Sequence, residues 1–338
     1  MSRGPDRSRA AEFRNRTTGA DVELAYAGID TFLKADLAEI DDVGGADAAV
    51  LGAPYDGAVS NRPGARYGPD AVREASAWWA YLSGYKGGLT NMRTGEQVDY
   101  GDLSVVDTGD VPVFPMDCET TADSIAAHVA TIAAQGTMPV LIGGDHYCTF
   151  PAVRGFAEGA DLDSVGLVQI DAHTDTVAES AVFGEHFHGS STHHIADSEF
   201  ADYANVSQVG IRGYESPAFF EFADETGLNL FTMNEVNERG IGPVTEAAVE
   251  AAADGTDAVY VTFDIDSVDP SDAPGTGTPE PGGLSADQAL TVMETLGAHD
   301  SVAAADLMEV APDHDPAGNT SRLAANLLVA LLERKFAV

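Results

Sequence analysis

The sequence predicts one α/β domain in three layers, with helices on both faces of a mainly parallel sheet. Three observations carry that expectation. From about residue 46, short β-branched runs alternate with Ala- and Glu-rich stretches, an order that needs crossover connections between parallel strands. The longest apolar runs, such as 138–142, are of strand length and read as buried strands. No repeat, low-complexity tract or linker divides the chain, and 338 residues fit one α/β unit.

Taken in order, residues 1–20 form a polar tail carrying Arg3, Arg7, Arg9, Arg14 and Arg16. It reads as a solvated tail, with an arm docking on an acidic neighbouring subunit as the alternative. Residues 21–338 form the single domain. Strands are expected at 48–51, 140–142, 165–170, 206–211, 258–263 and 302–307, and helices at stretches such as 121–134, 245–253 and 286–295. Four strand ends run into polar residues: Gly143-Gly144-Asp145-His146, Asp171-Ala172-His173-Thr174-Asp175, Asp264-Ile265-Asp266, and Met308-Glu309. Ligands bind outside the carboxyl ends of parallel strands, so these four ends make one constellation.

Charge narrows the function. Fifty-five acidic residues against seventeen basic ones leave a net charge of −38, and Lys34, Lys86 and Lys335 are the only lysines. Such a field repels nucleic acid and anionic lipid, which excludes DNA-binding and membrane-surface roles. The lysine depletion suits molar salt, where a Debye length of ~3 Å screens self-repulsion. No apolar run approaches the ~18 residues of a membrane span, and residues 1–20 lack an apolar signal core, so a soluble cytoplasmic protein is expected. Two cysteines, Cys118 and Cys148, are too few for a disulfide framework.

An acidic chain produces acid pairs freely, so Asp264/Asp266 alone says nothing; Gly-Gly-acid-His, by contrast, is expected only about 0.02 times by chance. His146, Asp171, His173, Asp175, Asp264 and Asp266 supply four carboxylates and two imidazoles, enough to neutralise two divalent cations. Hard oxygen donors with a minority of imidazole favour Mn²⁺. Residues i and i+2 of an extended segment point to one side, so each cluster can address one site. A calcium loop starting at Asp264 fails, having Asp269 where Gly is needed and Gly275 where Glu is needed. No Gly-x-Ser-x-Gly elbow, P-loop or Gly-x-Gly-x-x-Gly turn is present in the expected places.

These three segments, the last read as Phe263 to Pro270, resemble the metal signatures of the ureohydrolase family, which includes arginases, agmatinases and guanidinobutyrases. The likeness extends to Arg62-Pro63-Gly64-Ala65-Arg66-Tyr67-Gly68-Pro69, to the run from Pro274 to Gly283, and to Glu309-Val310 with Pro312. It implies an arginase/deacetylase-like fold, two manganese ions (or nickel) and a homotrimer or homohexamer. It would place His146, Asp171, Asp175 and Asp264 on one metal, and His173 and Asp266 on the other, with Asp171 and Asp264 bridging. A single-zinc deacetylase reading leaves too many ligands for one tetrahedral ion. The resemblance further implies that Glu309 holds a substrate guanidinium, that His188 shuttles protons, and that hydroxide attacks the guanidinium carbon. Asp175 would help pass a proton to the leaving amine, with urea as the other product.

Departures from the family pattern bear on the substrate. Tyr147 and Cys148 follow the first motif where a small residue is usual. Residues 176–187 lack the Asn/Ser-rich pattern with which arginases bind the amino-acid end of arginine. Ser190-Ser191-Thr192-His193-His194 replaces the Arg-Arg pair frequent in agmatinases, and both histidines read as structural. Agmatine, a small cationic guanidino compound cleaved to putrescine and urea, fits best, with Glu179 and Glu185 as candidate partners for its ammonium. 4-Guanidinobutyrate would need a cation such as Arg322, which otherwise reads as a structural ion-pair member. Free guanidine and a formimino compound stay open as substrates, and a catalytically silent subunit of a mixed oligomer is the competing reading from outside the enzymes.

Overall fold

The computed structural model describes residues 24–100 and 102–336, so the Arg-rich segment 1–20 lies outside the described residues. In chain order the strands are β1 (Asp36–Leu37), β2 (Ala48–Gly52), β3 (Leu89–Thr90), β4 (Gln97–Val98), β5 (Val105–Asp110), β6 (Met138–Ile142), β7 (Val165–Ile170), β8 (Val206–Ile211), β9 (Asn229–Thr232), β10 (Ala258–Asp264) and β11 (Val302–Met308). β3 and β4 pair as a small antiparallel hairpin. The other nine form one sheet, ordered β1-β5-β2-β6-β11-β10-β7-β8-β9, and every pairing in it is parallel.

Alternate residues of each strand feed opposite faces, as the two-residue strand period requires. Val50, Val140, Ile142, Val261 and Phe263 point into one core. Helices α1 (Gly68–Lys86), α7 (Ile241–Ala253), α8 (Ala286–Gly297) and α9 (Asn319–Phe336) close it through Val72, Val249, Val292 and Leu327. Leu51, Leu141, Leu167 and Tyr260 point the other way, under α2 (Cys118–Ala133) and α3 (Thr149–Gly159) with Ile125, Val129, Val153 and Phe156. The three expected layers are therefore present. Shorter helices α4 (Ser191–Ala196), α5 (Phe219–Thr226) and α6 (Met233–Arg239) fill the connections. No helix among the described residues is long and apolar enough to cross a membrane.

All six expected strands occur, two with the bounds expected and four longer by one or two residues. The additional β5 is polar for a reason outside itself. Arg73, 4% exposed on α1, donates to both carboxylate oxygens of Asp107 (2.9 and 3.1 Å) and to Asp110 (2.6 Å). Asp107 also accepts the Phe32 backbone N–H at 2.8 Å, so one buried ion pair ties the N-terminal segment, helix and strand together. The buried charges are paired and hydrogen-bonded, which is what makes them tolerable in a core.

Helices α2 and α3 approach closely because Gly155 has no side chain: a Cβ there would lie 2.3 Å from the Ala126 carbonyl oxygen. Gly155→Ala should therefore lower stability by about 1–3 kcal/mol through overpacking. In chemical denaturation the midpoint should fall with the slope unchanged; an unchanged midpoint would mean that the two helices separate freely.

Candidate metal centre

The sheet order places β6, β11, β10 and β7 side by side, so the four polar strand ends meet at one edge. Gly144 allows this at the first of them. A Cβ on it would lie 1.7 Å from the Tyr55 carbonyl oxygen, and the glycine lets the 55–58 segment lie directly against the turn. There Asp145, fully buried, accepts N–H bonds from Ala58 (2.7 Å) and Tyr147 (3.2 Å). The turn begins at His146.

His146 Nδ1 faces three carboxylate oxygens, at 3.0 Å from Asp171, 2.9 Å from Asp175 and 3.2 Å from Asp264. Its other nitrogen, Nε2, is hydrogen-bonded to Thr262 Oγ1 at 2.8 Å. Thr262 fixes the ring orientation, and with Nε2 donating, the Nδ1 lone pair faces the carboxylates. Nδ1 is buried and makes no properly directed hydrogen bond. Nitrogen and oxygens converge on a shared point instead of on one another, which fits a cation better than a hydrogen-bond network. Asp171 turns its second oxygen towards His173 Nδ1 (3.7 Å), which lies 3.1 Å from Asp266. Two ligand groups result, His146/Asp171/Asp264 and Asp171/His173/Asp266, sharing Asp171.

Backbone and side-chain donors aim the carboxylates. Asp171 accepts from the His173 N–H and Gln169 Nε2, both at 2.7 Å, Asp264 from the Asp266 N–H (2.8 Å), and Asp266 from Thr278 Oγ1 (3.0 Å). Gln169 is itself held, accepting from Thr192 Oγ1 and Gln208 Nε2 at 2.7 Å each. Burial, and then the Asp266 and Asp171 charges, push Asp264 well above the usual carboxylate range. Burial and Asp171 likewise raise Asp175 and Asp266. Burial opposes charge on His173, yet Asp266 and Asp171 outweigh it and push the imidazole up to about 12. His146 is raised well above its ordinary value against the same penalty, by Asp171, Asp175 and Asp264. The cluster holds protons tightly because it lacks enough positive charge of its own, and divalent cations would supply it.

Glu309 follows β11 and is 1% exposed. Its Oε1 accepts from the His146 N–H (3.0 Å) and pairs with His188 Nδ1 (2.7 Å), while Oε2 is buried without a partner. Burial disfavours the His188 cation, but the Glu309 carboxylate overcomes it and pushes His188 up to about 9. Both Asp175 (φ 51°) and Glu309 (φ 64°) have left-handed backbone, a conformation that non-glycine residues hold only under constraint. A cavity of about 210 Å³ opens onto Asp175, His173, Asp264 and His188, with Ser60, Arg212, Glu215 and Thr278 also in its wall.

Several sequence expectations need correction here. Glu179 and Glu185 are exposed and do not line the cavity; the carboxylate in the wall is Glu215, whose Oε2 accepts from Thr174 Oγ1 at 3.2 Å. Arg322 makes no ion pair among the described residues and lies over the Trp79 and Trp78 rings, at 5.1 and 5.9 Å. His193 meets Tyr203 Oη (3.0 Å), His194 meets the Glu185 carbonyl (2.9 Å), and buried Tyr147 meets His186 (2.9 Å), all outside the cavity wall. Sequence reasoning missed Ser60, Gln169, Thr262 and Glu215. Only Gln169 carried a signal, as a polar residue inside an apolar strand two positions before Asp171.

Residues 46–333 match the family model described as "Arginase family". The chain belongs to the arginase family. It is 36% identical over 318 residues to the proclavaminate amidinohydrolase of Streptomyces clavuligerus, covering 92% of this chain and 94% of that one. It is 37% identical over 289 residues to the mitochondrial agmatinase of Gallus gallus, covering 85% and 81%. The solved structure of the S. clavuligerus enzyme superposes with a TM-score of 0.80 at 34% identity, covering 93% of this chain and 99% of that one.

For this arginase-family site, metal uptake has to displace protons from His146 and His173. Because both are held protonated in the metal-free cluster, affinity for Mn²⁺ should rise with pH between 6 and 8, about tenfold per pH unit for each proton displaced. Titration calorimetry in buffers of different ionisation enthalpy counts those protons. A count of zero would remove the two histidines from the ligand set.

Proposed function

We propose that this protein is a two-metal amidinohydrolase that cleaves a guanidino C–N bond to give urea and an amine, with agmatine as substrate and putrescine as the amine. The observation that carries this reading is Glu309 Oε2, a buried carboxylate oxygen without a partner beside the metal-ligand groups. A guanidinium offers a planar fork of donors that suits such an oxygen. Asp171, Asp175, Asp264, Asp266, His146 and His173 would hold the cations; the oxygen-rich set favours Mn²⁺, with Ni²⁺ as the alternative. When bound, the pair would supply hydroxide at neutral pH. Glu309 would orient the guanidinium, and Asp175 and His188 would hold and pass the proton needed by the leaving amine.

The distal end of the substrate is read from the cavity wall. Glu215 offers a carboxylate steadied by Thr174, which suits an ammonium. Arg212 has its terminal nitrogens committed to the carbonyls of Gly210, Asp266, Ser267 and Glu280. The competing reading is a carboxylate-ended substrate such as 4-guanidinobutyrate, favoured by Arg212 Nε, which is buried and unpaired. The relatives named amidinohydrolase and agmatinase stand at 36% and 37% identity, too near each other to choose. A silent structural subunit would not need the ligand groups together with an unpaired Glu309 oxygen.

The test is urea release by the Mn²⁺-loaded protein from agmatine, arginine, 4-guanidinobutyrate and guanidine. Agmatine should be cleaved fastest, and chelator or the Asp171→Ala/Asp264→Ala pair should abolish turnover. Urea from none of them, with metal bound, would defeat the reading. Preference for 4-guanidinobutyrate would shift it to a substrate whose carboxylate meets Arg212.

The same reading places residues 21–338 as one catalytic domain of a cytoplasmic homotrimer or homohexamer, adapted to high salt and feeding polyamine synthesis. A net charge of −38 supports the salt adaptation. Below a few hundred millimolar KCl, roughly where the screening length passes ~5 Å, the melting temperature should drop or the oligomer dissociate. An unchanged melting temperature and full activity in ~50 mM salt would remove the salt adaptation.

A further inference from the structure

Both ring nitrogens of His188 are engaged. Nδ1 meets Glu309 Oε1 at 2.7 Å, while Nε2 meets Ser60 Oγ at 2.6 Å and the Ser60 backbone N–H at 3.0 Å. The imidazole is 9% exposed, so water has little access to it. An imidazole gains and loses protons only at those two nitrogens. The Nδ1 side ends at Glu309, whose Oε1 is already shared with the His146 N–H. The Nε2 side ends at a hydroxyl that lines the cavity.

The contact is also built. The His188 N–H donates to the Ala58 carbonyl at 3.0 Å, and the Ala58 N–H donates to buried Asp145 at 2.7 Å. Ser60 is thus held opposite His188 by the backbone two residues away, independently of its own side chain. No charge or spacing in the sequence marks Ser60, because its partner is 128 positions distant.

We propose that Ser60 is the proton relay between His188 and the substrate cavity. This rests on the amidinohydrolase reading for the identity of the proton acceptor, though not for the contact itself. In the relay, His188 Nε2–H gives its proton to Ser60 Oγ as the Ser60 hydroxyl proton passes to the departing amine nitrogen, which keeps the electron pair of the broken C–N bond. The imidazole ends neutral, the hydroxyl ends as it began, and one proton has moved from ring to amine. A hydroxyl can do this because it accepts and donates at once. With His188 neutral, the same hydroxyl turns its proton back to Nε2.

The test uses the full chain loaded with Mn²⁺. Ser60→Ala should lower kcat by about 10²-fold, the lower range for general acid–base catalysis, with KM little changed. Ser60→Thr, which keeps a hydroxyl, should recover most of that loss, and added imidazole should restore part of the rate of the alanine variant. Wild-type kcat in Ser60→Ala, or a loss that neither threonine nor imidazole relieves, would overturn the relay. A second readout needs no turnover: in ¹⁵N-histidine NMR the His188 Nε2 resonance should move on Ser60→Ala, and an unmoved resonance would overturn the contact. Should the wild type release no urea from any guanidino compound, the functional reading fails, while the NMR comparison still decides whether Ser60 and His188 are joined.

Discussion

Everything at the carboxyl edge of this sheet answers to one electrostatic constraint: carboxylates buried within reach of one another need positive charge close by. Asp171, Asp264 and Asp266 are almost wholly buried, and Asp175 nearly so. Two imidazoles alone balance them incompletely, and the raised carboxyls of Asp175, Asp264 and Asp266 record the shortfall. Asp171 stays ionised because His146 and His173 outweigh its burial, and it is the residue both ligand groups share. The arrangement is one in which the polypeptide supplies geometry and leaves part of the charge to cations.

Geometry of that kind has to be held against repulsion. The holding bonds come mostly from the backbone and from neutral side chains, which add no charge: the His173 and Asp266 N–H groups, Gln169, Thr262 and Thr278. Left-handed backbone at Asp175 and Glu309 belongs to the same arrangement, because conformations costing of order 1–3 kcal/mol persist only where the surroundings fix them. A compact parallel sheet buried on both faces provides such surroundings.

That division of labour explains how much is legible in the sequence. Strands β6, β7, β10 and β11 are apolar enough to announce themselves, and the candidate ligands follow them at short spacings, so fold class and cluster can both be read. β5 cannot, because Asp107 and Asp110 answer to Arg73, more than thirty residues away in sequence. Glu215 and Ser60 escape for the same reason: they reach the cavity only through tertiary apposition. Sequence proximity to the motif therefore points to Glu179 and Glu185 for the substrate-side carboxylate, although both are exposed. Arg322 suggests an ion pair by its charge alone, whereas two indole rings take that charge.

The candidate ligands come from three separate stretches of chain, at His146, at 171–175 and at 264–266, each following a different strand. Cations bound there would act as rivets across the middle of the sheet, gripping the folded chain and not the unfolded one. Saturation at a thousand times the dissociation constant would add about 4 kcal/mol for each such site. A cell short of the metal would therefore hold less of the protein as well as a slower one, since unloaded chains unfold and are degraded more readily. The folded stock would serve as a gauge of metal supply.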